Sequence, residues 1–308
     1  MEKKTKIILG SVTAGLVVVA TAITIPFVIA VNNKDKGPDG LGDYKPVYNK
    51  PETERPNDAI LADQAKIDEI TSEVGGDFVN PEIYYTESTA YSIYDYEYLE
   101  ISGDSWTATE VVDVEGTEVT TTTEYTNFEI SVDYDNVFRV ADEYSITASL
   151  DEEGNVQDAN STFTGYYEYS KRDGVGNEIE SIVEADNFIT EFEVTYEGSW
   201  MKNYMTWENM SFKYDLIEGM GYSESLTYGD NFVLYEEYDD GSYSKLESEE
   251  YLMEEKILYD GSSKADAYFY KNTLTAKIEG EEMSEYMKYL WIEDYTSNNP
   301  VFHPSWPF

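Results

Sequence analysis

From about residue 80 the chain alternates apolar and polar side chains with a period of two. In FEISVDYD, Phe128, Ile130, Val132 and Tyr134 fall on one side and Glu129, Ser131, Asp133 and Asp135 on the other, as in an antiparallel strand with one buried face. YSITASLD groups Tyr144, Ile146, Ala148 and Leu150 in the same way. FITEFEVTYE sets Phe188, Phe192, Val194 and Tyr196 opposite Ile189, Glu191, Glu193, Thr195 and Glu197. Glu115-Gly116, Glu153-Gly154-Asn155, Asp173-Gly174, Asp239-Asp240-Gly241 and Asp260-Gly261 punctuate such runs and supply the positive-φ positions of tight hairpins. The prediction is a long antiparallel meander. In YSIYDYEYLEI, Tyr94, Tyr96 and Tyr98 alternate with Asp95 and Glu97, and then Leu99 and Ile101 take the other parity, which predicts a bulge. An Asn-Phe pair opens alternating runs near residues 127, 187 and 231; the unequal spacings of 60 and 44 residues argue against a propeller or solenoid of fixed repeat.

Three stretches depart from this period. In NDAILADQAKIDEITSEVGG, Ile60, Ile67, Ile70 and Val74 approximate one helical face, with Asn57 or Asp58 as cap and Gly75 as stop, predicting a helix over 59–73. EEMSEYMKYL spaces Met283, Tyr286, Met287 and Leu290 at helical intervals and reads as a short helix or a final strand. At the other end, Lys3, Lys4 and Lys6 precede the 25 uncharged residues Ile7 to Val31. As a helix these span roughly 37 Å, enough for a hydrocarbon core of about 30 Å. The expectation is a single-pass anchor over 1–31 with the following chain outside the cell membrane; cleavage at Ala20-Thr21-Ala22 or Val28-Ile29-Ala30, giving a secreted chain, is the alternative. Residues 32–57, rich in Gly, Pro and charge without hydrophobic period, read as a flexible tether, and 58–308 as one β-rich extracytoplasmic domain. The fold expected is mainly β, with an N-terminal membrane-spanning helix and a meander curved as a half-barrel or open barrel around one packed helix.

Charge narrows the functions. The chain carries 63 Asp or Glu against 20 Lys or Arg, a formal net charge of -43, and from Gly76 onward the counts are 52 and 11. Such a field repels phosphate backbones and anionic headgroups, so nucleic acid is excluded as a partner and the membrane is met only through the N-terminal helix. The 29 Tyr, 12 Phe and 5 Trp supply a core, so the acidic composition does not imply disorder.

Catalytic chemistry has little to work with. The chain holds no cysteine and one histidine, His303 in NNPVFHPSWPF, which removes thiolate, triad and zinc-hydrolase chemistry. No glycine-rich phosphate cradle occurs. Carboxylate pairs are so abundant that they carry no signal for glycoside hydrolysis. The expectation is a protein that is not an enzyme and uses no cofactor. Divalent cations remain candidate partners at Asp133-Tyr134-Asp135-Asn136, Asp151-Glu152-Glu153-Gly154-Asn155 and Asp239-Asp240-Gly241, none of which has the spacing of a calcium loop; ordinary acidic turns are the plainer reading. Tyr94, Tyr96 and Tyr98 are the candidate ligand-facing residues, lining an amphiphile-holding face or a sugar-stacking platform, or else packing a sheet. The terminal Pro300, Phe302, Pro304, Trp306, Pro307 and Phe308 read as a tail folded over the sheet or as a peptide for a partner.

The order of helix and then meander across residues 57–290 is similar to that of half-barrel envelope proteins of the lipoprotein-carrier type, in which a curved sheet wraps a helix over an apolar cup. This chain departs from the lipoprotein members in lacking a cysteine for lipid attachment. The resemblance implies an envelope-exposed, non-enzymatic binding or carrier domain for an amphiphilic ligand. The alternative is a structural or adhesive surface protein that engages divalent cations or a basic partner. A ligand-sized apolar pocket distinguishes the first, and a filled core with an acidic face the second.

Overall fold

The computed structural model describes residues 48–51, 54–87, 96–114, 117–133, 135–152, 155–173, 178–217, 222–258, 263–278 and 280–296. The anchor expected over 7–31 lies outside them, as do Tyr94, His303 and the terminal aromatic tail. Among the described residues no helix is long and apolar enough to cross a membrane.

The period-two reading becomes one antiparallel sheet of 13 strands, open rather than closed into a barrel. Short strands β1 (Ile60–Leu61), β2 (Asp77–Val79) and β3 (Glu82–Glu87) lie at one edge. Ten long strands follow in sequence order: β4 (Tyr96–Val114), β5 (Thr117–Asp133), β6 (Asn136–Glu152), β7 (Asn155–Arg172), β8 (Glu178–Tyr196), β9 (Ser199–Ile217), β10 (Tyr222–Tyr238), β11 (Tyr243–Leu258), β12 (Ser263–Ile278) and β13 (Glu281–Thr296). Of the five predicted turns, Asp239-Asp240-Gly241 is wholly described and joins β10 to β11; the other four include residues outside the described ones, at positions where one strand ends and the next begins. Of the two readings of EEMSEYMKYL the strand is the one formed, since Glu281–Thr296 pairs with β12 throughout.

The single helix among the described residues, α1, runs Gln64–Val74, five residues later at its start than the predicted 59–73. Ile60 and Leu61 pair with Tyr85 and Tyr84 of β3 instead, and Asp63, not Asn57 or Asp58, is the cap, its carboxylate accepting from the Lys66 amide at 3.0 Å. The stop at Gly75 holds: its φ is 84° and its amide donates to Thr71. Ile70 is buried, with Ile67 and Val74 beside it, against the sheet core.

A seam crosses the sheet at mid-strand. On each long strand two successive side chains point away from the core, flanked by inward residues three positions apart: Tyr125 and Phe128, Ala141 and Tyr144, Phe163 and Tyr166, Ala185 and Phe188 are all buried. Left-handed residues set this step on alternate or adjacent strands, at Asn127 (φ 46°), Gly165 (61°), Asn209 (49°), Asn231 (50°) and Lys271 (53°). Asparagine tolerates this conformation better than most side chains. Its amide then bridges to the next strand: Asn127 donates to Asp142 at 2.7 Å, Asn209 to Asp230 at 3.0 Å and Asn231 to Glu208 at 2.7 Å. Asp186 stands so close to Gly165 that any Cβ there would run into its carboxylate.

Inside the seam the core is aromatic. One ring per strand forms a continuous file: Phe78, Trp106, Tyr125, Tyr144, Phe163, Phe188, Trp207, Phe232, Tyr251 and Phe269, with successive centroids 4.4 to 5.8 Å apart. A single buried cluster includes this file and residues on both sides of it, from Ile83 to Leu290. At roughly 1.5 to 3 kcal/mol per buried large apolar side chain, the file is the main apolar element holding the long strands together.

Candidate functional site

The seam divides the outer face, the one turned away from the aromatic file, into two halves. One half carries a strap. Residues 48–51 and 54–57, in the last part of the stretch read as a tether, lie against the strands and touch them at intervals. The guanidinium of Arg55 makes two hydrogen bonds to Glu100 of β4, one of them from Nε at 2.9 Å, and lies 3.4 Å over the Tyr84 ring of β3. Lys50 forms an ion pair with Glu184 of β8 and sits 4.8 Å over the Tyr167 ring of β7, whose hydroxyl donates to the Pro51 carbonyl at 2.9 Å. Lys213 of β9 lies over the Tyr48 ring. Past Pro56 the chain rounds the sheet edge as β1 and enters the inner face as α1, so it clasps the β3 edge from both sides.

Each clip combines a cation, a tyrosine ring and a glutamate. Glu100 is 3% exposed. Burial alone pushes its pKa up, but hydrogen bonds from Arg55 and from the Tyr98 hydroxyl, 2.6 Å away, outweigh that and hold it below the usual carboxylate range. Beneath the strap, outward-facing Tyr98, Ser131, Tyr169 and Ile182 are buried as deeply as core residues.

The other half of the outer face is open. Over β6–β10 it forms an open groove of about 510 Å³. Pairing register places Thr147, Asn160, Glu191, Tyr204 and Tyr235 in one row and Ser149, Asp158, Glu193, Lys202 and Glu237 in the next. Four carboxylates thus face one ammonium, and that ammonium is already engaged: Lys202 pairs with Glu193 at 2.9 Å. Tyr204 and Tyr235 are half-buried neighbours on β9 and β10. The groove therefore presents in the open the tyrosine rings and carboxylates that each strap clip brings together, with more carboxylates than its one ammonium engages.

The sequence-named tyrosines do not form one surface. Tyr96 packs edge-on to Tyr85 at 5.8 Å, near Lys66 of α1, on the inner core, whereas Tyr98 bonds Glu100 on the outer face. The bulge expected from the parity change lies between them, at Thr86 and Glu87 of the paired strand. Of the acidic turns, Asp133 accepts from the amides of Asp135 at 2.9 Å and Asn136 at 2.7 Å, and Asp240 from the Ser242 amide at 2.8 Å. These carboxylates close their own turns. Among the described residues no group of three or more His, Cys, Asp or Glu converges to hold a metal ion.

Sequence reasoning missed the strap and the groove. The repeated cation-proline pairs Lys50-Pro51 and Arg55-Pro56 were the available signal for the first; for the second, Tyr204 and Tyr235 meet only through strand register. A third polar feature is wholly buried: on the inner face Arg139 and Glu168 form an ion pair, and the Tyr166 hydroxyl donates to Glu168 at 2.6 Å. With both charged side chains almost inaccessible, this pair is architectural.

No protein-family model matches the chain, and no curated protein or solved structure matches it.

Proposed function

We propose that this is an envelope-exposed, non-enzymatic structural or adhesive protein whose acidic outer face engages a basic partner, held at the cell membrane by residues 7–31. The observation that carries this reading is the recurrence of clip chemistry in the open groove. Arg55 and Lys50 are each held by a tyrosine face and a carboxylate, and Tyr204, Tyr235, Glu191 and Glu237 offer the same groups to a cation from outside. A cation over a tyrosine ring contributes about 0.5 to 1 kcal/mol at an exposed site, so affinity arises from several such contacts along an extended basic segment. The filled aromatic core favours this reading over the carrier of an amphiphilic ligand, because the space a cup would need is occupied by rings at contact distance.

The test is binding of a fluorescent oligolysine peptide to the purified full chain. Glu191→Gln with Glu237→Gln is expected to weaken it about fivefold, two exposed charge contacts of ~0.5 kcal/mol each. Asp77→Asn with Glu82→Gln, the same charge change on exposed residues at the sheet edge, is expected to leave it within a factor of two, about the limit of a non-specific charge effect. Equal losses in the two variants, or saturable binding of a fluorescent fatty acid with no groove-dependent oligolysine binding, would overturn the reading.

A further inference from the structure

Both clips of the strap stand on one arrangement of the sheet. Tyr84 of β3 lies directly opposite Glu100 of β4, and Tyr167 of β7 directly opposite Glu184 of β8. Directly opposite side chains of an antiparallel pair leave the same face with Cβ atoms about 4.5 to 5.5 Å apart, so a ring and a carboxylate reach one cation together. Arg55 lies over Tyr84 and on Glu100; Lys50 lies over Tyr167 and on Glu184. A third opposite pair, Glu250 of β11 and Tyr270 of β12, has the Lys271 ammonium 5.0 Å over its ring and ion-paired with the adjacent Glu249. Cross-strand register, rather than neighbourhood in sequence, makes the seat for a cation.

The same pairing occurs twice on the groove half. Glu191 of β8 stands opposite Tyr204 of β9, and Glu237 of β10 opposite Tyr243 of β11. The Tyr243 hydroxyl donates to Glu282 at 2.6 Å, which holds its ring in place. Of the cations nearby, Lys202 is held by Glu193 at 2.9 Å and lies over the Trp200 ring, and Lys245 is held by Glu247 at 2.7 Å. Lys277 flanks Tyr243 from β12, two strands away from Glu237. The two pairs are separated by two strands and by one row of the sheet, roughly 12 Å at about 4.8 Å per strand and about 3.4 Å per residue. By the same measure the two strap seats, four strands and one row apart, lie roughly 20 Å from one another. Lys50 and Arg55, five residues apart, span about 17 to 18 Å when extended, and their long side chains close the difference.

We propose that a directly opposite Tyr–Glu pair is this protein's unit of cation recognition, and that Glu191–Tyr204 and Glu237–Tyr243 are two such seats for an extended partner segment whose cationic side chains stand three or four residues apart. The spacing follows from the strap: three to four extended residues cover about 10 to 14 Å, the interval between the groove seats, as five nearly cover the longer interval that Lys50 and Arg55 bridge. Tyr235, opposite Tyr204 and 5.7 Å from the Tyr243 ring, lies between the seats and meets the segment's middle. This rests on the reading of the groove as a site for a basic partner, and adds to it the unit of recognition and the spacing of the partner's charges. A partner with a lone cation, or with cations much farther apart, fills one seat only.

The test uses the purified full chain and two fluorescent proline dodecapeptides, each with two arginines, spaced four residues apart in one and nine in the other. A polyproline helix rises about 3.1 Å per residue, so at equal charge and length the arginines stand about 12 Å and about 28 Å apart. The four-residue probe is expected to bind about fivefold tighter, because only it meets both seats at once. Tyr204→Leu with Tyr243→Leu, which keeps every carboxylate, is expected to bring the two probes to within about a factor of two of each other, and so is Glu237→Gln alone. Tyr204→Phe with Tyr243→Phe keeps the ring faces and is expected to retain the preference. The Glu237→Gln variant keeps the outcome decisive where truncation of half-buried Tyr204 disturbs the sheet. Binding that Glu191→Gln with Glu237→Gln weakens but that shows no preference between the probes, or a preference that survives loss of both rings, would overturn the seats and leave the basic-partner reading standing. Binding of both probes that the same two glutamine substitutions leave unchanged would overturn that reading and the seats with it.

Discussion

Strand β8 crosses both halves of the outer face and shows how differently they are built. On the groove side of the seam Phe188, Thr190 and Phe192 are buried while Ile189 and Glu191 between them are exposed. On the strap side the neighbours Ser181 and Ile182 are both buried. The same backbone geometry gives strict alternation in one half and two buried faces in the other, because among the described residues only one half has chain lying across it. A strand's burial pattern thus records what covers the sheet as well as the period of the strand, and polar residues are pulled inward with it: Glu100 and Ser131 are buried on the strap side because the strap excludes water there.

The strongest way to stress this contrast is at the buried ion pair, which also lies on the strap side of the seam. Arg139→Met leaves the Glu168 carboxylate buried without its partner and is expected to cost about 3 to 5 kcal/mol in urea unfolding of the full chain. Arg139→Met with Glu168→Leu should recover most of that loss. A double variant no more stable than the single one would show that the pair is held by more than mutual charge compensation.

A direct comparison of the two halves comes next. Ile182→Ala, 2% exposed on the outward side of the strap half, is expected to cost about 2 to 5 kcal/mol, as truncation in a core does. Ile189→Ala, 38% exposed and equally outward, should cost below about 1 kcal/mol. Equal costs would erase the distinction between a covered and an open half. A smaller effect than that at Ile182 is expected at the seam that separates them. Asn127→Ala places a methyl side chain in the left-handed region and removes the bond to Asp142, for about 1 to 2 kcal/mol. Asn127→Gly, which loses the same bond but relieves the backbone, should be closer to the parent, and a glycine variant worse than the alanine one would mean that the amide bridge outweighs the conformation.

The strap also predicts the sign of a pH effect. The Glu100 carboxyl is held below the ordinary glutamate range, so its contribution is present above the unfolded value of about 4.3 and is lost as pH falls through the depressed folded value. Thiol reactivity of Lys50→Cys is therefore expected to rise only as pH falls below the ordinary glutamate range, a window set by that carboxyl; release of the strap near neutral pH would assign the control to another group.

Much of this was written locally. Phe128, Ile130, Tyr144, Ile146, Phe188 and Phe192 are inward as their period-two spacing indicates, since side chains on a pleated strand must alternate whatever lies beyond it. The predicted turns fall between strands for the same reason: glycine and acidic turn residues act within four positions. The Asn-Phe echo was legible too, and its meaning is now physical. Asn127 and Asn231 are left-handed seam residues, Asn187 lies at the same level and donates to Thr164 at 3.0 Å, and the following Phe of each pair is buried in the core, Phe188 and Phe232 within the aromatic file and Phe128 beside its Tyr125. Tertiary structure alone decided that Tyr96 and Tyr98 part to opposite faces, that Asp63 rather than Asn57 caps the helix, that residues 48–51 and 54–57 dock, and that Tyr204 meets Tyr235. Each depends on contact between segments distant in sequence, or on an edge strand competing for Ile60 and Leu61. Local periodicity fixes which way a side chain points from its own strand; whether that direction leads to water, to a strap or to another ring is set by what the rest of the chain brings there.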